Sequence, residues 1–265
     1  MTQSMGGRDV LGDVAPVRGE AVTAYSLDST VTSLPKSTVA PFRGRDFVVD
    51  LRSPEPSVLL YLRRPWLLRF KRAIDIVGAL VLVVVLSPVF LLAALAVAST
   101  SPGPVFFRQQ RVGRLGREFR FLKFRSMHID AEERKAELEA LNDHNTGPIF
   151  KIRNDPRMTP VGKVIRKLSI DELPQLFHVL TGHMSLVGPR PPVPAEVAQY
   201  NPYQYGRLLA KPGITCIWQV SGRSELDFDT WVDMDLDYIT NWNLWLDLKL
   251  LVKTIPAVLT GRGAY

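Results

Sequence analysis

The stretch Ile76–Ala98 constrains this chain more than any other. It is 23 residues long, carries no charge, and is interrupted only near its middle by Ser87-Pro88. A helix that is apolar all round is buried in a large core or in a membrane, not laid on a soluble surface. As a straight helix rising about 1.5 Å per residue, the run would measure about 35 Å, enough to cross a hydrocarbon core of about 30 Å. A plain transmembrane span is therefore one solution.

The flanks point to another. Tyr61–Arg72 carries Arg63, Arg64, Arg69, Lys71 and Arg72 with no acid. Ser99–His128 carries Arg108, Arg111, Arg114, Arg117, Arg120, Lys123 and Arg125 against Glu118 alone. Basic residues beside membrane segments prefer the cytoplasmic side, so a spanning helix should show an asymmetry. Here both ends are basic. The economical solution is a re-entrant segment that enters from the cytoplasm, turns at Ser87-Pro88, and leaves the same way. Pro88 lacks the N–H and obstructs the preceding turn, and the Ser87 hydroxyl can serve a backbone group freed by the break. A merely kinked spanning helix remains the competing reading.

Charge placement also decides the partner class. The two flanks contribute +5 and +6 to a net charge of +7, leaving −4 elsewhere. That pattern brackets an apolar run and does not form the basic face or groove-reading helix of a nucleic-acid binder. One cysteine excludes an intrachain disulfide framework. No Cys/His spacing reads as a zinc module. No Walker loop or nucleophile elbow is present, and Gly113-x-x-Gly116 falls short of the dinucleotide fingerprint. The histidines at 128, 144, 178 and 183 lack the i,i+4 pairing of metal ligands.

Residues 1–60 hold scattered Gly, Ser, Thr and Pro without amphipathic period and read as a largely disordered tail, with a short strand at Phe47–Val49 and no cleavable signal peptide. Residues 61–265 read as one domain, with the membrane element over about 72–100 and the remainder over about 101–265. Asp130–Leu141 is a charged surface helix. Thr159-Pro160 predicts an N-cap and first helical position for a helix to Leu168. A second helix is expected from Ser169–Asp171 to Leu180, with Gly182 as its C-cap. Gly188–Pro192 reads as a rigid loop, and Ile214–Val220 as a short strand. Near the C-terminus, Trp231, Tyr238, Trp242 and Trp245 precede a Leu-rich segment with Lys249 and Lys253. Interfacial and core placement of these aromatics stand open.

The segment Ile165–Pro192 carries the chemistry. Asp171 and Glu172 are adjacent carboxylates at an expected helix start, with Arg166 and Lys167 upstream and Arg190 downstream. Carboxylates among cations suit a phosphate site in which one carboxylate is a nucleophile or holds a divalent cation. A bland alternative is equally concrete: Ser169-x-x-Glu172 fits a capping box.

The stretches KRAIDIVGALVLVVVLSPVF, SPGPVFFRQQRVGRLGREFRFLKFRSM, NDPRMTPVGKVIRKLSIDELPQLFHVLTGHMSLVGPRP and KPGITCIWQVSGR, in this order over about residues 66–261, closely resemble the bacterial sugar transferases. These are monotopic polyprenyl-phosphate phosphoglycosyl transferases. The resemblance implies a mainly α fold with small β elements (α+β), comprising a re-entrant helix-break-helix, a cytoplasmic catalytic domain and interfacial amphipathic helices. It implies transfer of a sugar 1-phosphate from a nucleotide diphosphate sugar to undecaprenyl or a similar polyprenyl phosphate, through a covalent phospho-sugar aspartate. On this sequence that nucleophile is Asp171, with Glu172 as its partner and Mg²⁺ as the expected cofactor near Asp171. Arg166, Arg190 and Arg223 match family arginines that hold phosphates or the nucleotide, with Lys123 and Arg125 as weaker candidates. The basic flanks and the lipid-borne acceptor together set the expected location at the cytoplasmic face of the bacterial inner membrane, with membrane lipids as partners; a homo-oligomer stands as an open option. The polar N-terminal tail resembles the short form of the family. Cys216-Ile217-Trp218 resembles the branch that transfers glucose or galactose 1-phosphate from UDP. The competing class is a catalytically inactive, membrane-anchored scaffold or regulator of polysaccharide synthesis.

Overall fold

The computed structural model describes residues 23–25, 31–33, 65–142, 150, 152, 154–221 and 226–261. The chain divides into two units, Met1–Ala40 and Pro41–Tyr265. In the first, β1 (Thr23–Tyr25) and β2 (Val31–Ser33) pair antiparallel with Ala24 opposite Thr32. The rest of the expected tail, the strand expected at Phe47–Val49, and Arg63, Arg64 and Arg223 lie outside the described residues.

The second unit begins with the broken apolar element. α1 (Pro65–Val85) and α2 (Ser87–Thr100) meet at an angle of 61°. The break falls at the expected Ser87-Pro88. The Val84 carbonyl, which a prolyl nitrogen cannot serve, instead accepts the Ser87 hydroxyl at 2.8 Å. On either side the ladder continues, with Leu86 N–H to Leu82 and Phe90 N–H to Leu86, both at 2.9 Å. Among the described residues no single helix is long and apolar enough to cross a membrane, whereas this bent pair together has the length and composition. Trp66, Phe70, Val77, Val81, Leu91, Leu92 and Leu95 are exposed along it.

One side of α1 is packed on the rest of the unit. Gly78 sits so close to β5 (Ser185–Val187) that a Cβ there would lie 2.8 Å from Leu186 Cδ1. Buried Lys71 donates to Asp247 at 2.6 Å and to the Val187 carbonyl at 3.1 Å. Buried Asp75 accepts the Ser185 hydroxyl and the Leu186 N–H, both at 3.0 Å. Each buried charge thus has partners, which is the condition for burying it at all.

After α2 the chain forms an antiparallel hairpin, β3 (Phe106–Val112) and β4 (Glu118–Phe124), with Phe107 opposite Lys123 and Arg111 opposite Phe119. Phe106 and Phe124 stack at 5.2 Å and Phe90 of α2 adjoins Phe124 at 5.9 Å, tying the hairpin's open end to the broken apolar element. A 3₁₀ segment over Glu133–Leu141 takes the place of the expected surface α-helix. The remaining elements, in chain order, are α3 (Pro160–Lys167), α4 (Gln175–Thr181), β5, α5 (Pro194–Val197), β6 (Gly213–Thr215), α6 (Phe228–Thr240) and α7 (Leu244–Thr260). β5 and β6 run parallel, Val187 opposite Thr215. The expected strand at Ile214–Val220 is divided between β6 and a 3₁₀ turn at Trp218–Val220. Mainly helical structure with small two-stranded sheets matches the expected α+β class.

The main core joins α1, the hairpin and the C-terminal helices through Ala79, Phe121, Val179, Leu186, Ile239 and Leu250. The aromatic ambiguity near the C-terminus resolves by residue. Trp231, Tyr238 and Trp242 are buried, whereas Trp245 is 72% exposed. Trp245 heads a stripe with Leu248, Val252, Ile255 and Leu259, all exposed at helical spacing along α7.

Candidate active site

The Asp171–Glu172 pair sits in a turn where the sequence suggests a helix start. α3 obeys the expectation: Thr159 is its N-cap, accepting the Gly162 N–H at 2.9 Å, and Pro160 is its first residue. Beyond Leu168 the chain reverses through Ser169, whose φ of 54° is left-handed. Asp171 and Glu172 then occupy a 3₁₀ turn, Ile170–Glu172, and α4 begins only at Gln175. Pro174 explains the delay, since its ring would clash with the Ile170 carbonyl inside a continuous helix. The capping box does not form. Ser169 makes no side-chain cap bond, and the Glu172 carboxylate instead accepts Arg190 Nη1 at 3.0 Å. Gly182 closes α4 in the left-handed region, as expected.

The turn is surrounded by charge. Asp171 is only 6% exposed. Burial pushes its carboxyl up to about 6, and neighbouring Glu172 adds to the rise, while Lys123, Arg166 and Arg190 partly oppose it. Burial also pushes Glu172 upward, but there the charge and hydrogen bond of Arg190, with Lys123 and Arg166, prevail and hold it below the usual carboxylate range. Lys123 falls to about 8, chiefly through burial and then through Arg166. Two adjacent carboxyls are thus driven in opposite directions, an arrangement that separates acid–base roles. Asp171 becomes the more basic oxygen of the pair yet is largely ionised at neutral pH, as a carboxylate nucleophile requires.

Strand alternation sorts the basic segment that lies beyond the broken apolar element. Lys123 and Arg111 share the inward hairpin face with Phe119 and Phe121, whereas Arg108 and Arg120 are exposed on the other. The structure therefore brings together Asp171, Glu172, Lys123, Arg166 and Arg190. It places Arg125 elsewhere: its guanidinium donates to the carbonyls of Ser101 and Pro102, where α2 ends. Two residues near the site escape sequence reasoning. Arg111 reads there only as part of a basic collar, although its parity with Lys123 on paired strands marks it. His178 lacks metal-ligand spacing, yet its Nε2 accepts the Leu122 N–H at 3.0 Å, next to Lys123.

Among the described residues no group of three or more His, Cys, Asp or Glu gathers as a complete metal cage. Asp171 beside Glu172 supplies hard oxygen donors, the set by which a divalent cation is held through one or two carboxylates plus substrate phosphates.

The model of the family described as "Bacterial sugar transferase" matches residues 66–261. The chain is 49% identical over 197 residues to "Galactosyl transferase CpsE" of Streptococcus agalactiae, covering 73% of this chain and 43% of that protein. It is 47% identical over 203 residues to "Undecaprenyl-phosphate galactose phosphotransferase" of Salmonella typhimurium, covering 74% and 41%. It is 41% identical over 223 residues to "UDP-glucose:undecaprenyl-phosphate glucose-1-phosphate transferase" of Caulobacter vibrioides, covering 80% and 75%. The match to the first two thus spans about two fifths of their length. With the broken helix, the hairpin and the Asp171–Glu172 turn all inside the matched segment, the chain belongs to the bacterial sugar transferase family.

Proposed function

We propose that this chain is a phosphoglycosyl transferase. It moves the sugar 1-phosphate of a UDP-hexose onto undecaprenyl or a similar polyprenyl phosphate, releases UMP, and so starts exopolysaccharide or glycoconjugate assembly. The observation that carries the reading is the buried Asp171 carboxyl, raised to about 6 and ringed by Lys123, Arg166 and Arg190, inside the matched family segment. The printed names of the Salmonella and Caulobacter relatives support the acceptor and a hexose donor.

The reaction divides in two. An Asp171 oxygen attacks the β-phosphorus of the donor. The bond from that phosphorus to the bridging oxygen breaks, and UMP leaves with the electron pair. A phosphate oxygen of the polyprenyl acceptor then attacks the same phosphorus, displacing the Asp171 carboxylate and forming the polyprenyl diphosphate sugar. Splitting one displacement into two easier ones is the gain of a covalent intermediate. Lys123, Arg166 and Arg190 offset charge on the transferred phosphoryl group, and Glu172 stays ionised and fixes the Arg190 fork. Asp171, with phosphate oxygens, would hold Mg²⁺, which when bound supplies further charge neutralisation. Arg223 is kept as a further phosphate ligand.

Placement rests on the same chemistry, because the acceptor is lipid-borne and the donor is water-soluble. α1 and α2 enter the cytoplasmic leaflet of the inner membrane as a re-entrant pair, and α7 lies along the interface on its Trp245–Leu259 stripe. Purified protein with Mg²⁺ is tested for UMP release across UDP-glucose, UDP-galactose and their N-acetylated relatives, with labelled sugar to trap the adduct. Adduct formation by Asp171→Asn at the wild-type level refutes the nucleophile. Opposite-side labelling of Ser57→Cys and Thr100→Cys refutes the re-entrant path.

A further inference from the structure

The Gly188–Pro192 loop presents a problem that its own residues do not solve. It leaves β5 carrying Arg190, and Pro189, Pro191 and Pro192 contribute no N–H. Pro191 and Pro192 are buried, so their carbonyls need donors from elsewhere. The end of β3 supplies both. Val112 N–H donates to the Pro192 carbonyl at 2.9 Å, and Arg111 Nη1 donates to the Pro191 carbonyl at 2.9 Å. The Arg111 fork is itself held in place. Its Nη2 donates to Gln109 Oε1 at 2.9 Å, and its central carbon lies 5.3 Å from the centre of the Phe121 ring.

One residue before that gripped carbonyl, Arg190 donates to Glu172 beside Asp171. The arrangement places two guanidiniums in mutual repulsion, and Arg111 is lowered to about 10 by burial first and by Arg190 second. Glu196 and Glu172 oppose that effect. A half-buried arginine set against a like charge is a costly way to satisfy one carbonyl, unless the position of the neighbouring Arg190 matters.

We infer that Arg111 is a positioning residue for Arg190: by gripping the Pro191 carbonyl it fixes the loop so that the Arg190 fork meets Glu172 and the substrate phosphates together. Arg111 acts through Arg190, not on the phosphates. This rests on the phosphate-transfer reading of the site, and two measurements keep the two claims apart.

The first is a double-mutant cycle on kcat/KM for UMP release. Arg111→Met, which keeps the stem over Phe121, lowers kcat/KM by about tenfold or more. In an Arg190→Met background the same substitution costs under about threefold, because the group it positions is already gone. Equal losses in both backgrounds, or wild-type activity of Arg111→Met, overturn the inference. Arg111→Lys serves if the Met variant does not fold. It keeps a cation but loses the two-pronged grip, and is expected to behave like Met. Rescue to the wild-type rate by Lys overturns the geometric argument.

The second measurement needs no turnover. Hydrogen exchange of the substrate-free protein should quicken in Arg111→Met at the Val193 amide, which follows the gripped carbonyls and donates to Glu196, and stay unchanged along β5. Unchanged exchange at Val193 overturns the inference. Wild-type protein that releases no UMP from any UDP-sugar overturns the functional reading instead, and the exchange result still decides the role of Arg111.

Discussion

Asp171→Asn should abolish adduct formation and at the same time make the protein more stable. The carboxyl is pushed from 3.8 up to about 6, principally by burial and then by Glu172. A carboxylate whose folded value is raised carries no penalty below its unfolded value, and acquires one as pH climbs toward the folded value. The shift of about two units corresponds to about 3 kcal/mol at about 1.36 kcal/mol per unit. Almost all of that is present by pH 7 and about half at pH 5, and it vanishes below about pH 3.5. Asparagine has nearly the same shape and never ionises, so the variant escapes the penalty. Thermal unfolding in detergent, monitored from pH 4 to pH 8, should show a gain in Tm of about 5–10 °C at neutral pH for a chain of this size. The gain should shrink steadily on acidification. A variant less stable than wild type at pH 7, or a gain that does not change with pH, would refute the claim that the fold holds this carboxylate at a cost. Wild-type adduct formation should fall about tenfold for each unit of pH below about 6.

Three further outcomes are expected. Gly162→Ala would place a Cβ 1.8 Å from the Ser126 carbonyl oxygen, so the variant should lose several kcal/mol or fail to accumulate, read as Tm and yield. Lys71→Met leaves Asp247 buried without its cation and should cost about 3–5 kcal/mol in chemical denaturation, far more than substitution of an exposed arginine such as Arg120. His178 is lowered by burial first and His183 second, and must be neutral to accept the Leu122 N–H. Its contribution is therefore complete above about pH 6.5 and lost as pH falls through its folded value. His178→Gln, whose amide oxygen reaches the position of Nε2 and accepts without titrating, should flatten that part of the acid stability profile.

The legible parts of the molecule are those set by local chemistry. Thr159-Pro160 marks the start of α3, Gly182 the end of α4, and Ser87-Pro88 the break between α1 and α2, because each depends on one residue's backbone limits. Asp171, Glu172, Arg166 and Arg190 stand out as a group, and Lys123 joins them once strands are paired. The Asp171 turn is hard to draw because the left-handed Ser169 has no signal in composition, and two reasonable helix starts compete for Pro174. Arg125 and Arg111 look alike in sequence, and only hairpin register and the carbonyls they serve separate them. Long-range ion pairs such as Lys71 with Asp247, 176 positions apart, leave no periodic trace.

That pair also bears on what kind of enzyme this can become. Lys71 and Asp75 join α1 to β5 and α7, Arg72 grips the Val179 and Leu180 carbonyls at the end of α4, and Ala79 is part of the main core. The greasy helix is thus an internal strut of this unit, whatever its exposed face meets. Proteolysis between α2 and β3 could not shed a working water-soluble half, because the catalytic part would leave with four of its own ties severed. Under the re-entrant placement proposed above, these ties would also set the height of Asp171 over the lipid surface. A lipid-borne acceptor would then have to present its phosphate at that height, and the fold would act as a ruler as well as a catalyst.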